Sequence, residues 1–242
     1  MPTLIEMSLK ATWTVRPDTR KVHGLACALF ERPGAGHTGQ EKPFAVSPLR
    51  QVPGGTPDEW EWRAAWLPDT APPAGVLETD LRRVGHTSCV VAESTHRRVS
   101  HAVLASGAAT GEVTVSFGSP VFFSQNGTDV LLPDPRLIAG SWRRRWNASL
   151  PPGGALAIGD DEWKQAHPLL SLGAFDLRTS ARDSGHGRER AGFTGTATLR
   201  LARNAPAAAR QILGTLARFA EFCGTGAQTT HGFGATVLDT RG

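Results

Sequence analysis

The hydrophobic period of this chain switches between that of a strand and that of a helix, twice in the same order. Residues 3–15, TLIEMSLKATWTV, put Ile5, Met7, Leu9, Ala11, Trp13 and Val15 on one face and Glu6, Ser8, Lys10, Thr12 and Thr14 on the other. A period of two is that of a half-buried strand. In VHGLACALF (22–30), Val22, Ala26, Leu29 and Phe30 recur at helical spacing, and Pro33-Gly34 ends the run. A polar loop, GAGHTGQE (34–41), leads into a second strand in PFAVSPL (43–49). After the Pro-Gly-Gly turn at 53–55, EWEWRAAWL (59–67) reads as a third strand. PPAGVLETDLRR (72–83) reads as a short helix and HTSCVVAES (86–94) as a fourth strand. The order is strand, helix, strand, strand, helix, strand.

The second half follows that order again. EVTVSF (112–117) alternates Val113, Val115 and Phe117; residues 134–149 read as a helix capped by Asp134 with Pro135 in its first turn. LLSLGAFDLRTSA (169–181) and GFTGTATLRL (192–201) are strands. The latter is expected to bury Phe193, Ala197, Leu199 and Leu201 and to expose Thr194, Thr196, Thr198 and Arg200. A helix from about 206 to 223 carries Ile212, Leu216, Phe219 and Cys223 on one stripe, and Gly224 stands where a left-handed residue commonly ends a helix. FGATVL is the last strand. Two successive βαββαβ units predict an α+β protein of two tandem ferredoxin-like (RRM-like) domains, 1–107 and 108–242. The halves share architecture rather than sequence.

Composition narrows the partners. Of the 26 basic residues only Lys10, Lys21, Lys42 and Lys164 are lysine; the other 22 are arginine. Arginine binds phosphate bidentately and stacks on bases, which suits RNA, although a genome rich in G and C produces the same ratio. No window holds the ~18 apolar residues of a membrane span. The start lacks the basic and apolar regions of a signal peptide, so a cytoplasmic location is expected and the N-x-S/T matches at Asn126 and Asn147 are discounted. Cys27, Cys89 and Cys223 are far apart with no CxxC pairing, against a disulfide framework or a zinc site.

The stretch GTGAQTTHGFG (224–234) contains four glycines and neither carboxylate nor lysine. Phosphate loops of nucleotide enzymes run from strand to helix; this one runs from helix to strand, without GK[ST]. A nucleotide cofactor is therefore not expected. Its glycines can admit a polymer backbone closely while their N–H groups face phosphates, or the stretch can be a plain connection.

Helix, GxG, a polar run, GFG and a final strand resemble the signature of the CRISPR-associated RAMP proteins, specifically the repeat-RNA processing endoribonucleases of the sixth Cas family. HTGQEKPFAVSPL (37–49) is similar to that family's segment with a histidine after the first helix. FGSPVFFSQNGTDVLLPDP (117–135) resembles its hairpin opening the second domain, and SWRRRWN (141–147) the basic helix that follows. The resemblance implies metal-independent cleavage of CRISPR repeat RNA into guide RNAs: the 2′-OH attacks the adjacent phosphate, leaving a cyclic phosphate and a 5′-OH. Histidine can move protons on either side of that exchange, and lysine or arginine can stabilise the charge on the phosphoryl oxygens.

On that resemblance His37 is the candidate acid/base residue, Lys42 its electrostatic partner, and His23 the rival histidine. Family sites often include a tyrosine and this chain has none, which leaves the full catalytic set open. Gly224, Gly226, Gln228, Thr229, Thr230, His231, Gly232 and Gly234 are expected to hold RNA, with phosphate contacts from Arg143, Arg144 and Arg145. Three successive helical residues cannot share one face, so at most two of these arginines act together. His96 and His101 lack ligand spacing, and no metal is expected. Trp60 and Trp62 alternate as core residues do, so packing is preferred to base stacking for them and for Trp66. A second class of function stays open: a non-catalytic RAMP subunit binding guide RNA within an interference complex. CRISPR repeat RNA or crRNA is the implied partner, with other Cas proteins a further possibility, no membrane, and a monomer or homodimer.

Overall fold

The alternating start forms β1 (Thr3–Lys10), and the first helical stripe forms α1 (Thr19–Phe30), capped by Asp18, whose carboxylate accepts from Lys21 N at 2.9 Å. Then come β2 (Phe44–Val46), β3 (Arg50–Gln51), β4 (Glu59–Trp66), β5 (Leu81–Val84), β6 (Thr87–Arg98) and α2 (His101–Ser106). The second half holds β7 (Glu112–Val121), β8 (Phe123–Gln125), β9 (Thr128–Val130), α3 (Pro135–Ser149) and α4 (Asp160–Ala166). It closes with β10 (Leu170–Asp183), β11 (Glu189–Leu201), α5 (Ala207–Cys223) and β12 (Thr236–Asp239). The computed structural model describes residues 1–12, 18–31, 42–76, 81–107, 109–185 and 187–239.

The strand orders are β2-β4-β1-β6-β5, with β3 beside β4, and β10-β11-β7-β12, antiparallel throughout. In each sheet the first strand of its half is central, flanked by the half's third and last principal strands. That is the ferredoxin-like arrangement, present twice.

Alternation decides which residues meet. Ile5, Met7 and Leu9 face α1 and bury with Val22, Leu25, Ala26, Phe30, Phe44 and Trp62. On the opposite face, Leu4 joins Ala65 and Leu67 in the second core, with Phe219 and Phe222 of α5. The two halves thus share apolar contact through α5. Farther along β1 that face opens, and Glu6 and Ser8 line a cleft of about 410 Å³ opposite Val237 of β12. A larger cleft of about 740 Å³ lies between Pro48 and Arg50 of the first half and β7, β10 and β11 of the second. Arg50 lines both clefts and donates to the Gly118 carbonyl, tying the two sheets together.

Several expectations need correction. The strand expected over 3–15 stops at Lys10; Trp13, Thr14 and Val15 lie outside the described residues. The helix expected over 72–83 is replaced at its end by β5, while residues 77–80 lie outside the described residues. There Gly85, at a φ of 62°, turns the chain so that Val84 pairs with Thr87, and the buried Arg82 donates to Val76 O at 2.7 Å. The apolar spacing of Val76 and Leu81 mimicked a helix, but the glycine turn made a hairpin. Thr198 is buried rather than exposed, because its hydroxyl pairs with that of Thr114 at 2.9 Å across the strands. Trp60 and Trp62 are buried as expected, their indole N–H groups donating to Ala11 O and Ser47 O.

Candidate functional site

The glycine-rich stretch follows α5 directly, and its four glycines answer a backbone demand. Gly224, Gly226, Gly232 and Gly234 have φ of 68°, 80°, 85° and 65°. A Cβ on Gly234 would run into the Thr225 carbonyl, and one on Gly226 into that of Phe122. A Cβ on Gly232 would stand 3.1 Å from Pro48 N in the first half, so the loop lies flush against the Ser47–Pro48 backbone.

The expectation that this loop's amides face phosphates requires revision. Gly224 N donates to Ala220 O (2.9 Å), Thr225 N to Gly234 O (2.8 Å), Gly226 N to Ser141 Oγ (3.1 Å), Ala227 N to Phe122 O (2.9 Å) and Gly234 N to Pro120 O (3.0 Å). Thr225 also accepts from the Trp142 indole at 2.8 Å and pairs with Thr236 at 2.7 Å. These groups lock the loop to β7, α3 and β12. What it presents outward is side chain, chiefly the exposed Gln228 and the half-buried Thr230 and His231.

One end of the loop meets α1. His231 stacks on His23 with ring centres 3.8 Å apart and planes 8° from parallel. His23 Nδ1 lies 2.9 Å from Thr230 O; a carbonyl only accepts, so this nitrogen carries a proton. His23 Nε2 lies 3.3 Å from Cys27 Sγ. Burial, then the charges of His23 and Arg20, pull the His231 pKa down to about 4, so its ring is neutral near pH 7. Both His23 nitrogens have protein partners, which casts this residue as a joint between the halves.

One turn beyond Cys27 stands Glu31, whose carboxylate lies 2.6 Å from Lys42 Nζ. The two side chains are only 11% and 15% exposed, so the ion pair is largely shielded from water. They are the described residues on either side of 32–41. His37, the leading acid/base candidate, belongs to that segment and lies outside the described residues.

The three consecutive arginines part company, as helical geometry requires. Arg143 donates to Ile158 O (2.9 Å) and Asp160 Oδ1 (2.6 Å) and lies over the Trp163 ring. Arg145 bridges the halves, donating to Phe44 O at 3.0 Å and to the Thr229 hydroxyl at 2.6 Å. Arg144 is exposed, in a groove of about 370 Å³ between α3 and the loop. Arg136, two turns earlier on the same face, lines that groove too, with Gly140 between them and Ser124, Gln125, Gly226 and Ala227 opposite. No carboxylate is among its lining residues. Arg136 was not singled out from the sequence; the spacing Arg136-Gly140-Arg144, one turn per step, is the signal that marks it.

A second constellation imitates a catalytic triad. His101 Nε2 lies 2.8 Å from Ser149 Oγ, and its Nδ1 lies 3.2 Å from Asp69 Oδ1. His101 is fully buried, and the Ser149 hydroxyl donates to Trp146 O at 2.7 Å. A substrate cannot reach that hydroxyl, so this cluster anchors α2 to α3.

The family model described as CRISPR-associated endoribonuclease Cas6 matches residues 115–236. Among solved structures, a Cas6 product complex is 28% identical over 98% of this chain and 99% of its own, with a TM-score of 0.83. A Thermus thermophilus Cas6 is 27% identical over 98% of each chain, with a TM-score of 0.74. A second Cas6 product complex, 23% identical over 98% of this chain and 100% of its own, shares the fold at a TM-score of 0.79. No curated protein matches the sequence.

Proposed function

The chain belongs to the CRISPR-associated endoribonuclease Cas6 family, and from that premise we propose that it cuts CRISPR repeat RNA without a metal ion, by attack of a 2′-OH on the neighbouring phosphate. The P–O2′ bond forms as the P–O5′ bond breaks. One proton leaves the 2′-OH and one reaches the departing 5′ oxygen, giving a cyclic phosphate and a 5′-OH. The exchange needs no net water and no electrons, so side chains that move protons and stabilise charge are sufficient for it.

In this reading residues 1–107 carry the catalytic segment and 108–242 the glycine loop. His37 moves the proton. Lys42, beside that segment, supplies positive potential attenuated by Glu31. RNA lies along the groove of Arg136 and Arg144, crosses the loop past Gln228, Thr230 and His231, and reaches the 32–41 segment beyond α1. Arg143 and Arg145 serve the fold instead, given their contacts to Asp160 and Phe44. The reading of a non-catalytic guide-RNA subunit is not favoured, because the matching family is one of endoribonucleases.

The observation that carries the proposal is the family match across the second half, with the same fold in a Cas6 product complex over 98% of this chain. Repeat RNA carrying a single 2′-deoxy nucleotide at the cut site, incubated in EDTA, tests the chemistry. Loss of cutting with unchanged binding supports 2′-OH attack; unchanged cutting of the deoxy substrate rules it out.

A further inference from the structure

His23 and Cys27 stand one turn apart on α1, and Glu31, four residues after Cys27, is the extended residue that caps the helix. Together with two groups from other elements they form a continuous polar array. It starts at the Thr230 carbonyl of the glycine loop, which accepts from His23 Nδ1 at 2.9 Å. It passes through His23 Nε2 to Cys27 Sγ at 3.3 Å. Cys27 has Glu31 as its neighbour, and Glu31 pairs with Lys42 at 2.6 Å. The array therefore connects the loop expected to hold RNA with the residue that follows the His37 segment.

Thr230 O requires a proton on His23 Nδ1, so in the neutral ring Nε2 is a lone pair awaiting a donor. Burial, reinforced by the Glu31 charge, pushes the Cys27 thiol up to about 11, which keeps its S–H in place. That single proton has two acceptors within reach, His23 Nε2 and the Glu31 carboxylate, so the thiol ties the ring to the ion pair. Glu31 meanwhile holds the Lys42 ammonium. An alanine at position 27 would leave His23 Nε2 without its partner and open a gap between the ring and the ion pair.

We propose that Cys27 and Glu31 are positioning residues for RNA cleavage: they hold the Lys42 ammonium at a fixed place relative to the Thr230–His231 turn. Neither touches RNA. This inference rests on the endoribonuclease reading given above.

Single-turnover cleavage of repeat RNA at saturating protein separates positioning from binding. Cys27→Ala lowers the cleavage rate by roughly 3- to 10-fold, the rate equivalent of one neutral hydrogen bond, while RNA affinity stays at the wild-type value. Cys27→Ser restores a hydrogen-bond donor and most of the rate, and Glu31→Gln falls in the same range as Cys27→Ala. Side-chain 15N spectra of His23 follow the array without RNA: Nδ1–H with an accepting Nε2 in the intact protein, and a shifted Nε2 resonance in Cys27→Ala. Wild-type cleavage by Cys27→Ala, serine as damaging as alanine, or loss of affinity in step with rate would each overturn the proposal. An intact protein that binds but never cuts would contradict the functional reading instead, and the nitrogen spectra then decide the array by themselves.

Discussion

His23 of α1 and His231 of the glycine loop lie face to face, 3.8 Å between ring centres, and so join the two halves of the molecule through a pair of imidazoles. The stack is sensitive to acid. The folded His231 pKa, about 4, lies below the ordinary 6.5, so between these values the unfolded chain binds more protons than the folded one. The stability that His231 contributes is therefore complete above about 6.5 and declines as pH falls from there toward 4. His231→Phe keeps a ring in the stack and removes the titration. Its Tm should fall less steeply than that of the intact protein across this window; equal slopes would show that His231 is not the responsible group.

Lys42 and Glu31 form an ion pair too well covered to behave as a surface contact. Lys42→Met leaves the Glu31 carboxylate among buried groups without its ammonium, and we expect a loss of about 2–4 kcal/mol in urea unfolding. Adding Glu31→Gln removes the stranded charge and should recover most of that loss. A single variant as stable as the intact protein would place the pair on a solvated edge.

Gly226 and Gly54 both have positive φ, at 80° and 74°, yet an added methyl meets different surroundings. At Gly54 nothing lies within 4 Å, so Gly54→Ala costs only backbone strain, about 1 kcal/mol. At Gly226 the methyl meets the Phe122 carbonyl, and the loop must shift. Gly226→Ala is expected to cost more than about 2 kcal/mol and to weaken RNA binding. Equal thermal shifts for the two variants would count against this account of the loop.

Arg136 and Arg144 occupy a groove, whereas Arg143 is held by Ile158 and Asp160. Alanine at either groove position should weaken binding to single-stranded RNA and reduce the slope of log affinity against log salt by about 0.7, the value for one phosphate. Arg143→Ala should lower Tm and leave that slope unchanged. A slope change confined to Arg143→Ala would reverse these assignments.

How much of this was legible in the sequence differs from element to element. β1, α1, β4, β11 and α5 were legible from their apolar residues and α3 from its Asp134 cap and Pro135, but that β1, β4 and α5 bury residues on more than one face was not, because two cores meet there. The hairpin of β5 and β6 was missed because its brief apolar spacing fits a helix as well, and only the turn at Gly85 separates the two. The glycine loop was legible as a loop, but the commitment of its amides to Ser141, Phe122 and Pro120 depends on partners roughly 85 to 114 residues away, which no local pattern encodes. The meeting of His23 with His231 is likewise a product of topology. Cys27 and Glu31 were readable only as part of a helix, since their significance arises from what stands at each end of the row they form with His23.

Metal-free cutting that depends on His37 can be read from single-turnover cleavage of end-labelled repeat RNA in EDTA by the intact protein and by His37→Ala. We predict one discrete cut by the intact protein and a rate about 10²- to 10⁴-fold lower in the variant, with RNA affinity unchanged. Cleavage by His37→Ala at the intact rate, or tight binding with no cut by either protein, would contradict it.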